Sequence, residues 1–385
     1  MPSVVILGAG VMGASLAWHL TSRGCRDVLL LDRGASAGAG STGRATGGFR
    51  TQYATAVNVR LSLLAREKLL RFRDEVGGEC GYVQAGYLWL ASSQTELDVL
   101  REARVIQHAE GLDEARAVTP DDIARINPAI IGDGIIGGAY CPSDGFIRPL
   151  GILQGYLDGA LRQGATVQWG VEATGVERDA TGRVVALSTR TDRIAAGAVV
   201  NAAGAWAGEF ARGCGVDLPV TPLRRQVAAT VPTDVLPSSM PMTIVTGDGF
   251  HLRVRDGRVL LPWPTPGVAG APFEMPVDPA WVAAVTAKAH ARVPALANVP
   301  VDLDASWTGL YEMSPDKHAI LGVAPGCPNH YLINGSSGHG VMHAPALGHL
   351  LAEIILDGAA TTMDTRALRP SRFAEGDWNP VSELL

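Results

Sequence analysis

Cysteine is scarce and scattered. Cys25, Cys80, Cys141, Cys214 and Cys327 are spread over 385 positions, odd in number and never in CxxC spacing. That excludes a disulfide framework and a cysteine zinc site, and it reads as reduced thiols in a cytoplasmic protein. A surplus of basic charge is also lacking: 32 Lys and Arg against 38 Asp and Glu give a net charge of -6. Without that surplus there is no footprint for nucleic acid and no polybasic anchor for an anionic membrane. No apolar run reaches the ~18 residues of a transmembrane helix, and the opening "MPSVVILGAG" carries no positively charged leader. The histidines have no metal-ligand spacing, so no metal is expected.

What is plentiful is glycine, 46 residues in a chain that is 47% hydrophobic. A chain that apolar does not stay unfolded, so the glycine points to close backbone approaches. The length exceeds one ordinary core and predicts two connected domains.

The first forty residues have a clear order. "VVIL" suits a buried parallel strand, Gly8, Gly10 and Gly13 give GxGxxG, a helix follows with Ala14, Leu16, Ala17 and Leu20, and a second strand "VLLLD" ends in Asp32. GxGxxG alone is weak evidence; between a strand and a helix, with an acid roughly 20 positions on, it predicts a dinucleotide site. Gly8 permits the turn, Gly10 lets the backbone approach a pyrophosphate, and Gly13 lets the helix pack on its strand. The helix amino terminus offers free N–H groups to phosphate, and Asp32 accepts from ribose hydroxyls. The motif does not choose between NAD and FAD.

A second glycine-rich loop, "GAGSTGRATGGFR" (38–50), lies between that strand and an amphipathic helix, "VNVRLSLLAREKLLRF", with Leu61, Leu64, Leu69 and Leu70 at helical spacing. With "VVNAAGAWAGEF" (199–210), "WTGLYEMSPDKHAILG" (307–322) and "YLINGSSGHGVMHAPALGHLLAEII" (331–355), the chain resembles the D-amino acid oxidase and sarcosine oxidase superfamily of flavoproteins. These motifs occur in the family's order at both ends and the middle of the chain.

The resemblance implies an α/β fold: a Rossmann-like FAD domain, discontinuous over 1–80, 143–218 and 308–385, and an α+β substrate domain with an antiparallel sheet over 81–142 and 219–307. It implies FAD contacts from Gly8, Gly10, Val11, Met12, Gly13, Asp32 and Arg33, and from Ser41, Thr42, Arg44, Ala45, Thr46, Gly47 and Gly48 of the second loop. Ala173, Ala203, Gly204, Trp206 and Gly309 extend that set, as do Gly335, Ser337, Gly338, His339, Gly340, Val341 and Met342. The family's covalent-flavin cysteine corresponds to about Gly309 and its covalent histidine to Arg44, so FAD is expected to be held non-covalently. The family's carboxylate-binding lysine corresponds to Met342. These departures bring the chain nearer to proline dehydrogenase β-subunits, sarcosine oxidase β-subunits and glycine-oxidase-like enzymes.

The residues themselves mark further strands: "GYLWLAS" (86–92), "RRQVAATV" (224–231), a hairpin "GFHLRVRDGRVLLPWP" (249–264) turning at Asp256 and Gly257, and a meander over 166–190 turning at "DATGR". Gly358 is the expected stop of the last helix.

The implied chemistry is oxidation of a C–N bond beside a carboxylate, giving an imine, in a small amino acid such as sarcosine, proline, glycine or a D-amino acid. Flavin carries the electronic work, so no strong acid–base residue is required. Arg50 in "GGFR" is the expected partner of the substrate carboxylate, through its bidentate fork. His251 and Tyr311 are the other candidate catalytic residues and His343 is a weaker one; Trp263 and Trp307 are candidates to wall an apolar pocket. The electron acceptor is dioxygen or a partner protein, and assembly into a homo- or hetero-oligomer is compatible. Two alternatives are oxidation of a 2-hydroxy acid, with His251 or His339 as base, and a flavin-binding subunit of a larger amine dehydrogenase complex. A nicotinamide-dependent enzyme ranks last.

Overall fold

The computed structural model describes residues 3–264 and 273–381. Residues 1, 2, 265–272 and 382–385, which belong to the expected domain stretches, lie outside the described residues.

The buried apolar run Val4–Leu7 forms the centre of a six-stranded sheet. Across it the strands follow the order Ile320–Val323, His330–Asn334, Ala198–Asn201, Val4–Leu7, Val28–Asp32 and Thr166–Trp169. The five from His330–Asn334 onward run parallel, and Ile320–Val323 closes one edge antiparallel. Both faces are covered, which is why the central strands read as unbroken apolar runs. Val4, Ile6 and Leu30 pack under the helices Val11–Ser22, Pro149–Arg162 and Gly340–Asp357. Val5, Leu7, Leu29 and Leu31 pack against a three-stranded meander.

That meander is Ala173–Arg178, Val184–Thr189 and Arg193–Ala195. The sequence reading had it begin at 166. Thr166–Trp169 instead pairs in parallel with Val28–Asp32, and Gly170, with φ +73°, turns the chain away before the meander begins. The expected amphipathic helix spans Ala56–Leu70; Leu61 and Leu69 are buried while Leu70 is 63% exposed. At 100° per residue Leu70 sits about 180° from Leu61, on the opposite face.

The second sheet has eight strands, in the order Val301–Met313, Thr221–Thr230, Arg258–Pro262, His251–Arg255, Met242–Val245, Tyr87–Ala91, Gly137–Cys141 and Arg116–Val118. It is antiparallel except where Met242–Val245 runs parallel to Tyr87–Ala91. The hairpin turns at Asp256 (φ +54°) and Gly257 (φ +71°), the two left-handed positions that a type I′ turn demands. A short ribbon, Gly48–Phe49 with Gly145–Phe146, carries the second glycine loop from the first sheet to the second.

Candidate active site

A cavity of ≈ 870 Å³ runs from the carboxyl ends of the parallel strands to the long strand Val301–Met313. Three glycine turns line it together: Gly8–Met12, the stretch 38–45, and Gly338 with Gly340 and Val341. Two long helices, Val11–Ser22 and Gly340–Asp357, begin at this cavity, and neither has a cap from its own N-cap side chain or an acid in its first turn. Their amino-terminal N–H groups and dipoles therefore favour an anionic or electron-rich ligand.

The three motif glycines divide by what demands them. A Cβ on Gly8, whose φ is +101°, would stand 2.3 Å from the Ala202 carbonyl oxygen, and one on Gly13 would stand 1.9 Å from that of Gly8. A Cβ on Gly10 would meet nothing nearer than the Thr42 hydroxyl at 3.5 Å. Gly8 and Gly13 are required by the fold, whereas Gly10 leaves room for something outside the chain. Gly13 accordingly does not line the cavity.

Thr42 ties the first two turns together, its hydroxyl accepting from the Val11 N–H at 3.2 Å. Asp32 accepts from the N–H groups of Ala9 (2.8 Å) and Gly34 (2.7 Å), fixing a carboxylate at the rim of the cavity. Beside it Arg33 lies 4.4 Å above the Trp206 ring, which stacks on Phe273 at 5.3 Å. Ala173, Ala203, Gly204 and Trp206 line this end. Arg44 folds back and donates to the carbonyls of Ala39 and Gly40. Gly309 faces it: a Cβ there would be 3.3 Å from the Arg44 Cβ.

Of the remaining expected cofactor residues, Ser41, Ala45 and Gly309 line the cavity, while Thr46, Gly47, Gly48, Gly335, Ser337, His339 and Met342 stand behind its wall. Gly48 is demanded by packing, because a Cβ would lie 2.0 Å from the Tyr87 hydroxyl. Ser337 holds φ +49° and accepts from the Ser314 N–H at 3.1 Å, bracing the last turn. The buried Met342 sulfur accepts from the Tyr53 hydroxyl.

Tyr311 lines the cavity, 37% exposed; Arg50 and His251 do not. Arg50 is buried between the Tyr53 ring (4.1 Å) and the Trp89 ring (5.2 Å), donates to the Gln52 carbonyl at 3.0 Å, and has His339 Nε2 3.2 Å away. Its positive charge nevertheless reaches both partners. Burial lowers the His251 imidazole to about 4, with the Arg50 charge adding to that, and burial raises the Tyr311 hydroxyl while the charges of Arg225 and then Arg50 oppose it. His251 is therefore neutral near pH 7, its Nδ1 2.8 Å from the Gly249 carbonyl. His343 is buried against the Ser62 hydroxyl (2.7 Å), and burial pushes it down to about 3; it is a core histidine. Trp307 donates from its ring nitrogen to the Arg44 carbonyl at 2.7 Å, and Trp263 lies under Lys288 at 4.9 Å.

Two carboxylates escaped the sequence reading. Asp144, fully buried, accepts from the Thr51 N–H (2.7 Å), the Thr51 hydroxyl (2.5 Å) and the Gln52 amide (3.1 Å), gripping the chain just beyond Arg50. Burial raises it to about 6. Glu312 lies in the cavity wall, one oxygen accepting from the Ser336 N–H at 3.3 Å and the other without a hydrogen-bond partner among the described residues; burial raises it to about 7. No motif flagged them, although "GLYE" stands inside a stretch already quoted.

Comparison with known proteins settles the class. The FAD dependent oxidoreductase (DAO) profile matches residues 3–354, and the chain belongs to that family of flavoenzymes. Dimethylglycine dehydrogenase of Rattus norvegicus is 29% identical over 401 residues, covering 97% of this chain but 45% of that protein. Glycine oxidase of Geobacillus kaustophilus is 26% identical, covering 91% of this chain and 92% of the relative. The crystal structure of L-proline dehydrogenase from P. horikoshii superposes with a TM-score of 0.90 at 25% identity, covering 98% and 99% of the two chains. The chain spans less than half the length of the dimethylglycine dehydrogenases it matches. Among the described residues no helix is long and apolar enough to cross a membrane, and no acid, His and Cys cluster could hold a metal.

Proposed function

We propose that this protein oxidises the C–N bond of a small amino acid, secondary or N-substituted or else glycine-like, with FAD held non-covalently in the ≈ 870 Å³ cavity. The observation that carries the reading is Gly10: it is the one motif glycine that the chain's own atoms do not require, and it stands at a helix terminus suited to a diphosphate. The residues fit the cofactor. The Gly8–Met12 turn and Thr42 would hold the diphosphate, Asp32 the ribose, Arg33 and Trp206 the adenosine end, and Gly309 to Tyr311 with Gly338 to Val341 the ring. Gly309 and Arg44, which face each other, offer neither a thiol nor an imidazole for a covalent tether.

Bound FAD supplies the acceptor for hydride from the α-carbon. Arg50 is read as the charge that orients the substrate carboxylate, Tyr311 as a wall of the substrate space, and neutral His251 as a hydrogen-bonding group. The names of the relatives support the substrate class: dimethylglycine, glycine and proline all place an amine beside a carboxylate. Five free thiols accord with a cytoplasmic setting.

Anaerobic mixing of the purified yellow protein with glycine, sarcosine, proline and D-amino acids tests this. One of them is expected to bleach the flavin, and failure of every one argues against amino-acid oxidation. Arg50→Ala is expected to weaken apparent affinity for the best substrate by about 10–100-fold, the worth of a charge-assisted hydrogen bond; unchanged affinity removes Arg50 from the site.

A further inference from the structure

Alternation along Val301–Met313 puts Glu312 on the face of Thr308 and Leu310, opposite that of Gly309 and Tyr311. Leu310 is buried, and the residue paired with Glu312 on the neighbouring strand is Pro222, whose side chain offers neither donor nor charge. On the other side the turn before Gly340–Asp357 is strapped across the strand end. Met313 pairs with Ser336, and the Ser337 N–H donates to the Glu312 carbonyl at 3.0 Å. The carboxyl is thus enclosed between a strand end and a turn, with one oxygen held by the Ser336 N–H. Its other oxygen and the Ser336 hydroxyl are both buried without a hydrogen-bond partner among the described residues.

The charged and titratable neighbours are turned elsewhere. On the paired strand Arg224 shares the carboxyl's face but donates to the Glu274 carbonyl at 3.0 Å, and Arg225 lies 5.9 Å from the Tyr311 ring on the opposite face. Arg44 of the second glycine loop folds back on the Ala39 and Gly40 carbonyls, and His339 in the turn has Arg50 3.2 Å away. Asp316, beyond the strand end, pairs with Arg372. The turn Gly204–Trp206, which packs on the strand, carries no titratable side chain. Burial therefore sets the state of Glu312, raising it to about 7 while Ser336 and Gly335 oppose the rise. Near neutral pH the carboxyl stands between its two forms.

Glu312 and Ser336 line the cavity beside Gly338, Gly340 and Val341, the stretch of wall proposed to hold the ring of FAD. The ring gains two electrons and one proton on reduction and is left with one negative charge. Two like charges in one poorly solvated wall do not both persist, and binding a proton to one of them relieves the repulsion. We propose that Glu312 is a redox-linked proton site, which takes up one proton from solvent as the neighbouring ring is reduced. The electrons come from the amino acid, the proton forms an O–H bond on Glu312, and reoxidation returns it to solvent. Two protons, not one, then accompany two electrons. The inference rests on the reading of the cavity as an FAD site.

The test is the midpoint potential of the FAD-loaded full chain, measured by dye equilibration from about pH 6 to about pH 9 in wild type and Glu312→Gln. Above about pH 7 the wild-type potential is expected to fall with pH up to twice as steeply as that of Glu312→Gln, because the variant binds only the ring's own proton. Reduced-minus-oxidised infrared spectra at about pH 8 are expected to gain a protonated-carboxyl band in wild type that Glu312→Gln lacks. Parallel potential lines for the two proteins would overturn the proposal, as would a carboxyl band of equal size in both. If Glu312→Gln takes up no FAD, the wild-type infrared spectrum decides alone, and a spectrum without the band overturns the proposal. A wild-type chain that takes up no FAD overturns the functional reading as well, whereas normal uptake with parallel lines overturns this proposal only.

Discussion

Where the cavity is walled by Leu7–Met12 and 38–44 it is made of main chain, with glycines spaced so that amides face inward. At the other end, where Tyr311 lines the cavity and Arg50 and His251 stand behind it, the structure is built of side chains from the second loop, the hairpin strand and the long edge strand. The first end is held by the close approach of its turns to one another and to the Ala202 carbonyl. The second is held by long-range contacts: Asp144 grips Thr51 and Gln52, and Arg253 and Arg255 grip the loop carbonyls. A main-chain site tolerates many side-chain changes but no Cβ at its turns; a side-chain site behaves the other way round.

That contrast breaks first, and hardest, at Gly8. A Cβ there meets backbone at 2.3 Å with φ at +101°, so neither a rotamer nor a small shift relieves it. Gly8→Ala is expected to destabilise the apo chain by more than ~3 kcal/mol, the range of strain and overpacking together, read as loss of soluble protein or of the thermal transition. A Gly8→Ala chain with wild-type Tm would show that the first turn is not set by sterics. At the other end the comparable lesion is electrostatic. Asp144→Ala leaves three buried donors unanswered and is expected to lose ~2–4 kcal/mol, with Asp144→Asn losing ~1 kcal/mol because one oxygen still accepts. Equal Tm values for the two variants would mean that the carboxylate is not what holds Arg50 in place.

The same contrast explains what the sequence made legible. The turns were readable because glycine spacing is a local code: Gly8, Gly10, Gly13, the loop at 38–50 and the turn before Gly340 each follow a strand and precede a helix. The parallel strands were readable because burial on both faces leaves unbroken apolar runs. Arg253, Arg255 and Glu312 were not, because a polar residue on a strand looks the same whether it faces solvent or a distant loop, and Asp144 was not, because it sits in a turn, where an acid reads as solvent-exposed. Part of the signature at 307–322 also proves structural: Asp316, fully buried, pairs with buried Arg372 at 2.8 Å and fastens the motif to the carboxyl-terminal segment. The start of the meander was misplaced for a similar reason, since a short edge strand does not announce which sheet it joins.

A smaller effect separates the ends by pH. Glu312 is pushed by burial from its ordinary 4.5 to about 7, so the folded chain binds this proton more tightly than the unfolded one. The stability it contributes is fully present below about pH 4.5 and is lost as pH rises through about 7. Glu312→Gln is therefore expected to flatten the decline of apo Tm between pH 5 and 7.5. Identical profiles for the two proteins would place the carboxylate in water rather than in the wall.

The smallest effect on the fold, and the sharpest on the comparison, is expected at Gly10. Its backbone, φ -73° and ψ -177°, suits any residue, and an alanine Cβ has only the Thr42 hydroxyl at 3.5 Å to touch. Exchanging glycine for alanine at an N-cap costs less than ~1 kcal/mol, so apo Gly10→Ala should melt close to wild type. A bound diphosphate needs the space that this methyl would fill, so FAD affinity should fall by about 100-fold, equivalent to ~2.7 kcal/mol. The two readouts move independently only if Gly10 serves the ligand and not the chain. A variant that binds FAD normally would assign the phosphate elsewhere in the cavity, and one that fails to fold would make Gly10 a packing glycine like its neighbours.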